Sequence, residues 1–166
     1  MTFDEFVTTR GPSLVRLARL LAGDRHRAED LVQDVLARAY VHWRRISAGG
    51  RQDAYVRQML VNANRSWWRL ARNHEMPYGD STREETVGSS DSRVVERDRL
   101  WRMVLTLPHR QRAVLVLRYY EDLDDAAIAE ILGCSLPTVR THAMRALAKL
   151  RDLNVQELAK EMGGAR

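Results

Sequence analysis

The segment 123–150, LDDAAIAEILGCSLPTVRTHAMRALAKL, restricts the fold more than any other stretch of the chain. Its apolar residues recur at threes and fours, as in amphipathic helices, and a Gly interrupts them. Asp124 is placed to cap a first helix. Ile128, Ile131 and Leu132 form its inward face. Gly133 falls where the chain must turn, a position favouring positive φ. Ser135 caps a second helix, and Pro137 sits in its first turn, where a missing N–H costs nothing. Val139, Ala143, Ala146, Leu147 and Leu150 form the inward stripe of that helix, leaving Arg140, Thr141, Met144 and Arg145 outward. This is the pattern of a helix-turn-helix, whose second helix presents donors to the major groove. Two ordinary surface helices with solvated charges would share the periodicity, so the remainder of the chain has to decide.

A chain of 166 residues holds one medium domain or two small ones. The formal net charge is +5, with 30% charged residues, which suits a polyanionic partner. The charge is unevenly spread. Residues 1–72 carry 13 Lys and Arg against 7 Asp and Glu, 73–95 carry 2 against 5, and 96–153 carry 10 against 8. Two basic parts thus flank an acidic stretch. The single cysteine, Cys134, cannot form an internal disulfide and reads as a small buried filler. The five histidines lack partners at ligand spacing, so neither a metal nor a cofactor is expected. There is no long apolar run and no signal-peptide core, and the expected location is the cytoplasm. Phosphate loops, paired catalytic carboxylates and Ser/His/Asp spacings are absent from the sequence, so no enzyme is expected.

The expected fold class is all-α: two small helical domains joined by a flexible acidic linker. The first domain spans 1–73. A helix over 3–21 is expected to break near Gly11-Pro12. Asp24 caps a second helix, 27–46, with the apolar stripe Ala28, Leu31, Val32, Val35, Leu36, Ala39 and Tyr40. After the loop 47–50, Asp53 caps a third helix, 54–72, whose apolar face is Val56, Leu60, Ala63 and Trp67. The linker is 74–93, rich in Gly, Ser, Thr, Asp and Glu without hydrophobic period. The second domain, 94–153, carries four helices, the first two separated at Pro108. A tail, 154–166, contains a short helix and a frayed Gly-Gly end.

The third helix combines Arg57, Asn62, Asn64, Arg65, Trp67, Trp68, Arg69 and Arg72. Cations that follow a backbone, amides that read base edges and rings that stack on bases are the tools of single-strand binding. Arg57, Asn64, Trp68 and Arg72 are expected on a face away from Val56 and Leu60. Trp67 reads as core, and Trp68 is left between core and binding face. The small residues of the loop 47–52 leave room for an extruded base. On the second helix, Glu29, Asp30, Gln33 and Asp34 form an acidic-polar strip suited to a protein partner, although helix-dipole compensation alone accounts for Glu29 and Asp30.

The segments AEDLVQDVLARAYVHW (28–43), AYVRQMLVNANRSWWR (54–69), LPHRQRAVLVLRYYEDL (107–123) and 124–151 together resemble the bacterial extracytoplasmic-function sigma factors, in the group typical of actinobacteria. The resemblance implies a sigma-2 domain at 1–73 and a sigma-4 domain at 94–153. It implies docking of Asp30, Leu31, Gln33 and Asp34 on the clamp helices of the largest subunit of core RNA polymerase, with further contact to the polymerase flap. It implies reading of the melted minus-ten element by Gly50, Arg51, Arg57, Asn62, Arg65 and Trp68, and of the duplex minus-35 element by Thr138, Arg140, Thr141, Met144 and Arg145. An anti-sigma factor is implied as a further partner. Pro137 departs from the Gly frequent in the family, and His142 stands where a basic residue is common. The competing function is a stand-alone helix-turn-helix transcriptional regulator, which would bind duplex DNA without polymerase.

Overall fold

A computed structural model describes residues 1–73 and 92–163. Helices α1 (Phe3–Ala22), α2 (Arg25–Val41), α3 (Trp43–Ala48) and α4 (Gln52–Asn73) build the N-terminal half. Helices α5 (Ser92–Leu105), α6 (His109–Leu115), α7 (Asp125–Leu132) and α8 (Leu136–Gly163) build the C-terminal half, with a π-helical turn, Val116–Tyr120, continuing α6. No strand occurs among the described residues.

Local chemistry sets several helix ends. Thr2 and Glu5 form a reciprocal capping box at α1. Asp24 accepts the His26 N–H to start α2. Asp124 accepts the Ala127 N–H to start α7, and Ser135 accepts the Thr138 N–H at the head of α8. Gly23 and Gly133 end α1 and α7 in the left-handed conformation, with φ of 76° and 62°.

Several expectations fail for identifiable reasons. Helix α1 runs unbroken through Gly11 and Pro12. Proline costs about 3 kcal/mol inside a helix. Phe6, Leu14, Leu17, Ala18 and Leu21 bury one stripe on both sides of it, and that burial outweighs the lost hydrogen bond. The expected helix 27–46 is instead α2 and α3, divided at His42, whose ψ of 14° leaves the helical range. Asp53 does not cap α4. It lies inside the first turn, and its carboxylate is paired with Arg57 and, at 3.7 Å, Arg10. Leu147 is exposed rather than inward, because the inner stripe of α8 at that level is filled by Ala143 and Ala146. The expected tail begins inside α8, which continues to Gly163. There Arg99 of α5 donates to Glu157 at 2.6 Å and to Asn154 at 3.1 Å. The expected linker lies outside the described residues, except that 92–93 open α5.

The two halves share one core. Phe6, Leu17, Leu21, Val35, Val56 and Leu60 form a continuous cluster with Val114, Val116, Leu117, Ile128, Val139 and Ala143. Arg112 of α6, 2% exposed, projects into the junction. It donates to the carbonyl of Leu21 at 3.1 Å, across the halves, and to that of Leu105 at 3.2 Å. Gly23 makes this approach possible, since a Cβ there would stand 3.1 Å from both terminal guanidinium nitrogens.

Candidate nucleic-acid interface

The outer side of α2 presents Asp30, Gln33 and Asp34 to solvent. Asp34 pairs with Arg38 one turn on, and Arg25 pairs with Glu29 at 3.1 Å. Leu31 does not join this strip. It is buried with Ala28, Val32 and Val35, because the helical repeat that exposes 30, 33 and 34 turns 31 inward.

The loop into α4 places Gly50 and Arg51 at the surface. Gly50 has φ of 64°, and a Cβ there would meet nothing within 4 Å, so backbone geometry rather than crowding favours glycine. Along α4 the buried stripe is Val56, Leu60, Asn64 and Trp68, each four residues from the last. This corrects the expected face. Asn64 and Trp68 lie with Val56 and Leu60, not opposite them, while Trp67 is only half-buried. Trp68, 7% exposed, stacks on His109 of α6 with centroids 4.6 Å apart and planes 7° from parallel. The Arg27 guanidinium covers both indoles, at 3.9 Å from Trp67 and 4.5 Å from Trp68. Trp68 is thus no open stacking platform in this arrangement.

The helical repeat instead gathers Arg51, Tyr55, Gln58, Asn62, Arg65 and Arg69 along one edge. Arg51, Tyr55, Arg65 and Arg69 are exposed, and Gln58 and Asn62 half-exposed. Tyr55, 46% exposed, is the open ring that the sequence reading missed. Its signal was available, since 55, 58, 62, 65 and 69 recur at helical spacing with polar or basic neighbours. Arg57 does not join this edge: the helical repeat turns it toward the side of Asn64 and Trp68, where it is bound to Asp53 and to Glu121 of the C-terminal half. Desolvation opposes its charge, but hydrogen bonds to Asp53 and Glu121 prevail and hold the guanidinium above its ordinary range. Arg65 reaches the turn between α7 and α8, where its Nη1 stands 2.7 Å from the place a Cβ on Gly133 would take.

On α8, Arg140, Met144 and Arg145 are exposed, while Thr138 and Thr141 are half-buried. Ser135 and Thr138 hydroxyls lie 2.8 Å apart, so Thr138 is engaged by the cap at the helix head. Asp125 orients the basic side chains. Arg118 donates to it through Nε at 3.1 Å, and Arg140 Nε stands 3.7 Å from its other oxygen. The hydrogen bond to Asp125 is the main reason that Arg118 is held above its ordinary range. His142 is shifted the other way, by burial first and then by Arg110 and Arg145, so the ring favours its neutral form. Cys134 is half-buried against the core. No described helix is long and apolar enough to cross a membrane.

A helix-turn-helix with outward arginines and a basic, tyrosine-bearing helix edge are features of DNA-binding proteins. Residues 6–74 match the Sigma-70 region 2 family, and residues 97–150 match the Sigma-70, region 4 family. The RNA polymerase sigma-E factor of Streptomyces coelicolor is 35% identical over 97% of this chain and 94% of its own length. That of Streptomyces avermitilis is 35% identical over 97% and 93%. The sigma factor RpoE of Bartonella quintana, solved in complex with the anti-sigma factor NepR, has the same fold. Its TM-score is 0.67 at 24% identity, over 91% of this chain and 95% of that one. The chain belongs to the extracytoplasmic-function group of the sigma-70 family of RNA polymerase sigma factors. Its function is that of an alternative sigma factor in transcription initiation, and the stand-alone regulator is not favoured. Sigma factors are initiation factors, not enzymes in themselves.

Proposed function

We propose that this chain directs core RNA polymerase to promoters through three surfaces and performs no catalysis of its own. Asp30, Gln33 and Asp34 on α2 contact the polymerase clamp helices. Their exposure and negative charge, in a half that is otherwise basic, support this. Gly50, Arg51, Asn62 and Arg65, with Tyr55 as stacking platform, take the melted minus-ten strand. Arg57, neutralised by Asp53 and Glu121, is left out of that surface. Arg140, Met144 and Arg145 face the minus-35 duplex, with Thr138 and Thr141 at the margin of that face. The domains run 1–73 and 94–153, and the protein works in the cytoplasm beside polymerase. An anti-sigma factor is its expected inhibitor, as the relative from Bartonella quintana is solved with one.

The observation that carries this reading is the pairing of two unlike contact chemistries in one chain. One surface offers arginines at the head of a recognition helix, which suits duplex. The other alternates Tyr, Gln, Asn and Arg along a helix edge, which suits unpaired bases. Run-off transcription with Streptomyces coelicolor core polymerase and a promoter library tests it. Initiation that depends on this chain and disappears with Arg140→Ala plus Arg145→Ala is expected. Duplex binding without any initiation would overturn it in favour of the regulator.

A further inference from the structure

We infer that Asp125, at the head of α7, is a positioning residue for the minus-35 element: it holds Arg140 on the outer face of α8 so that this arginine reads a base edge instead of settling on a phosphate. This rests on the sigma-factor reading above and on its assignment of Arg140 to the duplex.

Asp124 and Asp125 are neighbours with separate tasks. Asp124 uses its side chain to cap α7. Asp125 lies in the first turn, where the helix dipole favours a negative charge. Its side chain is 24% exposed, and each carboxylate oxygen faces a different arginine. One oxygen accepts from Arg118 of the π turn, through Nε at 3.1 Å and through Nη2. The other stands 3.7 Å from Arg140 Nε. Arg118 thus fixes the carboxylate to the π turn, and the second oxygen is left for the recognition helix.

Arg140 is engaged through Nε alone. Among the described residues no partner binds its two terminal nitrogens. Guanine presents O6 and N7 as paired acceptors in the major groove, and two N–H groups of one guanidinium match them. With Nε facing Asp125, the terminal pair is the fork that Arg140 offers. An arginine held in this way has already given up rotamer freedom that a loose one loses on binding. Arg145, on the same helix, has no carboxylate partner among the described residues and can follow phosphates.

Charge points the same way. Arg118, Arg140 and Arg151 line one groove of about 370 Å³, together with Ala143 and Met144. Three cations in one groove attract any phosphate backbone, whatever its sequence. Asp125 offsets that attraction, and a fixed negative charge beside the duplex disfavours a misplaced backbone. The carboxylate thereby lowers affinity for duplex in general and favours the base that Arg140 fits.

The test compares holoenzymes formed with Streptomyces coelicolor core polymerase. The template is a promoter found by run-off transcription, randomised through its minus-35 element. Sequencing of the bound fraction gives a base preference at each position. Arg140→Ala is expected to flatten one position. Asp125→Asn keeps the size of the side chain and removes its charge. It should flatten the same position about tenfold, the scale on which one bidentate contact discriminates, and leave the others as they were. Total duplex binding should not fall, and its salt dependence should steepen as Arg118 and Arg140 turn to phosphates. In the double variant, Asp125→Asn should add nothing to Arg140→Ala. Asp125→Glu restores a carboxylate and should recover part of the preference. Arg118→Gln loosens the carboxylate and should flatten the same position by less, and it serves if Asp125→Asn does not fold. An Asp125→Asn profile identical with the parent, a loss spread evenly over all positions, or a flattening that adds to that of Arg140→Ala overturns the inference and leaves the sigma-factor reading intact. An Arg140→Ala profile identical with the parent overturns the duplex assignment and the inference with it. Failure to initiate on any promoter overturns the sigma-factor reading itself.

Discussion

Tyr55 and Trp68 sit thirteen positions apart on the same helix, yet substitution should affect them in opposite ways. Tyr55→Ala removes an exposed ring and little packing, so the fold should hold. Loss of one stacked base, worth about 1–3 kcal/mol, should lower promoter opening about tenfold or more, read by permanganate footprinting of the melted strand. Trp68→Ala removes a buried indole and should cost about 3–5 kcal/mol of stability, read by urea denaturation. Asp34→Ala should weaken binding to core polymerase in a fluorescence titration while leaving the thermal midpoint almost unchanged, because its ion pair with Arg38 is exposed. His142 gives a pH signature. Its native pKa is lowered from 6.5, so the unfolded chain takes up a proton first as pH falls. Stability from this site is fully present above about 6.5 and declines as pH falls from there toward the lowered native value. His142→Gln should flatten that decline in thermal melts between pH 7.5 and 5.5. The chemical type of these residues was legible in the sequence, but their exposure was not always so. Val56, Leu60, Ala63 and Trp67 make as good an apolar stripe as Val56, Leu60, Asn64 and Trp68. The choice between them is made by His109 and Arg112, distant in sequence, which cover Trp68.

At the scale of elements, the helix-turn-helix was readable because its signals are local. A cap at Asp124, a left-handed glycine at 133, a cap at Ser135 and a proline in the first turn each act within four residues. Helix α1 was not readable in the same way. The local cost of Pro12 is visible in the sequence, whereas the burial that overrides it comes from α2, α4, α6 and the π turn. The turn itself carries a sharper prediction. Gly133→Ala forces a side chain into the left-handed region, at a cost of about 1–2 kcal/mol. It also drives a methyl group against the Arg65 guanidinium. The far end of an arginine can move, so the second effect should be relieved by Arg65→Ala and the first should not. A double-mutant cycle in urea should therefore show a favourable coupling smaller than the total loss. Absence of coupling would mean that Arg65 does not rest on the turn in solution.

At the scale of the whole molecule, the shared core means that stability cannot be divided between the N-terminal and the C-terminal half. Sequence reading divides the halves by composition alone, at an acidic stretch without hydrophobic period. It could not show that Val114, Val116 and Leu117 complete a core begun by Phe6, Leu17 and Leu21, since such contacts join elements remote along the chain. Leu117 tests the consequence. It is 1% exposed and belongs to the C-terminal half, but its cluster includes α1 and α2. Leu117→Ala should cost about 2–5 kcal/mol. If the halves unfold together, that loss must appear equally at probes on either side. Fluorotryptophan resonances supply such probes, with Trp43 reporting the N-terminal core and Trp101 the C-terminal half. In urea both resonances should disappear at one midpoint in the parent and shift together in Leu117→Ala, as a single cooperative transition requires. A shift at Trp101 with Trp43 unmoved would show two independently stable halves and a junction too weak to couple them.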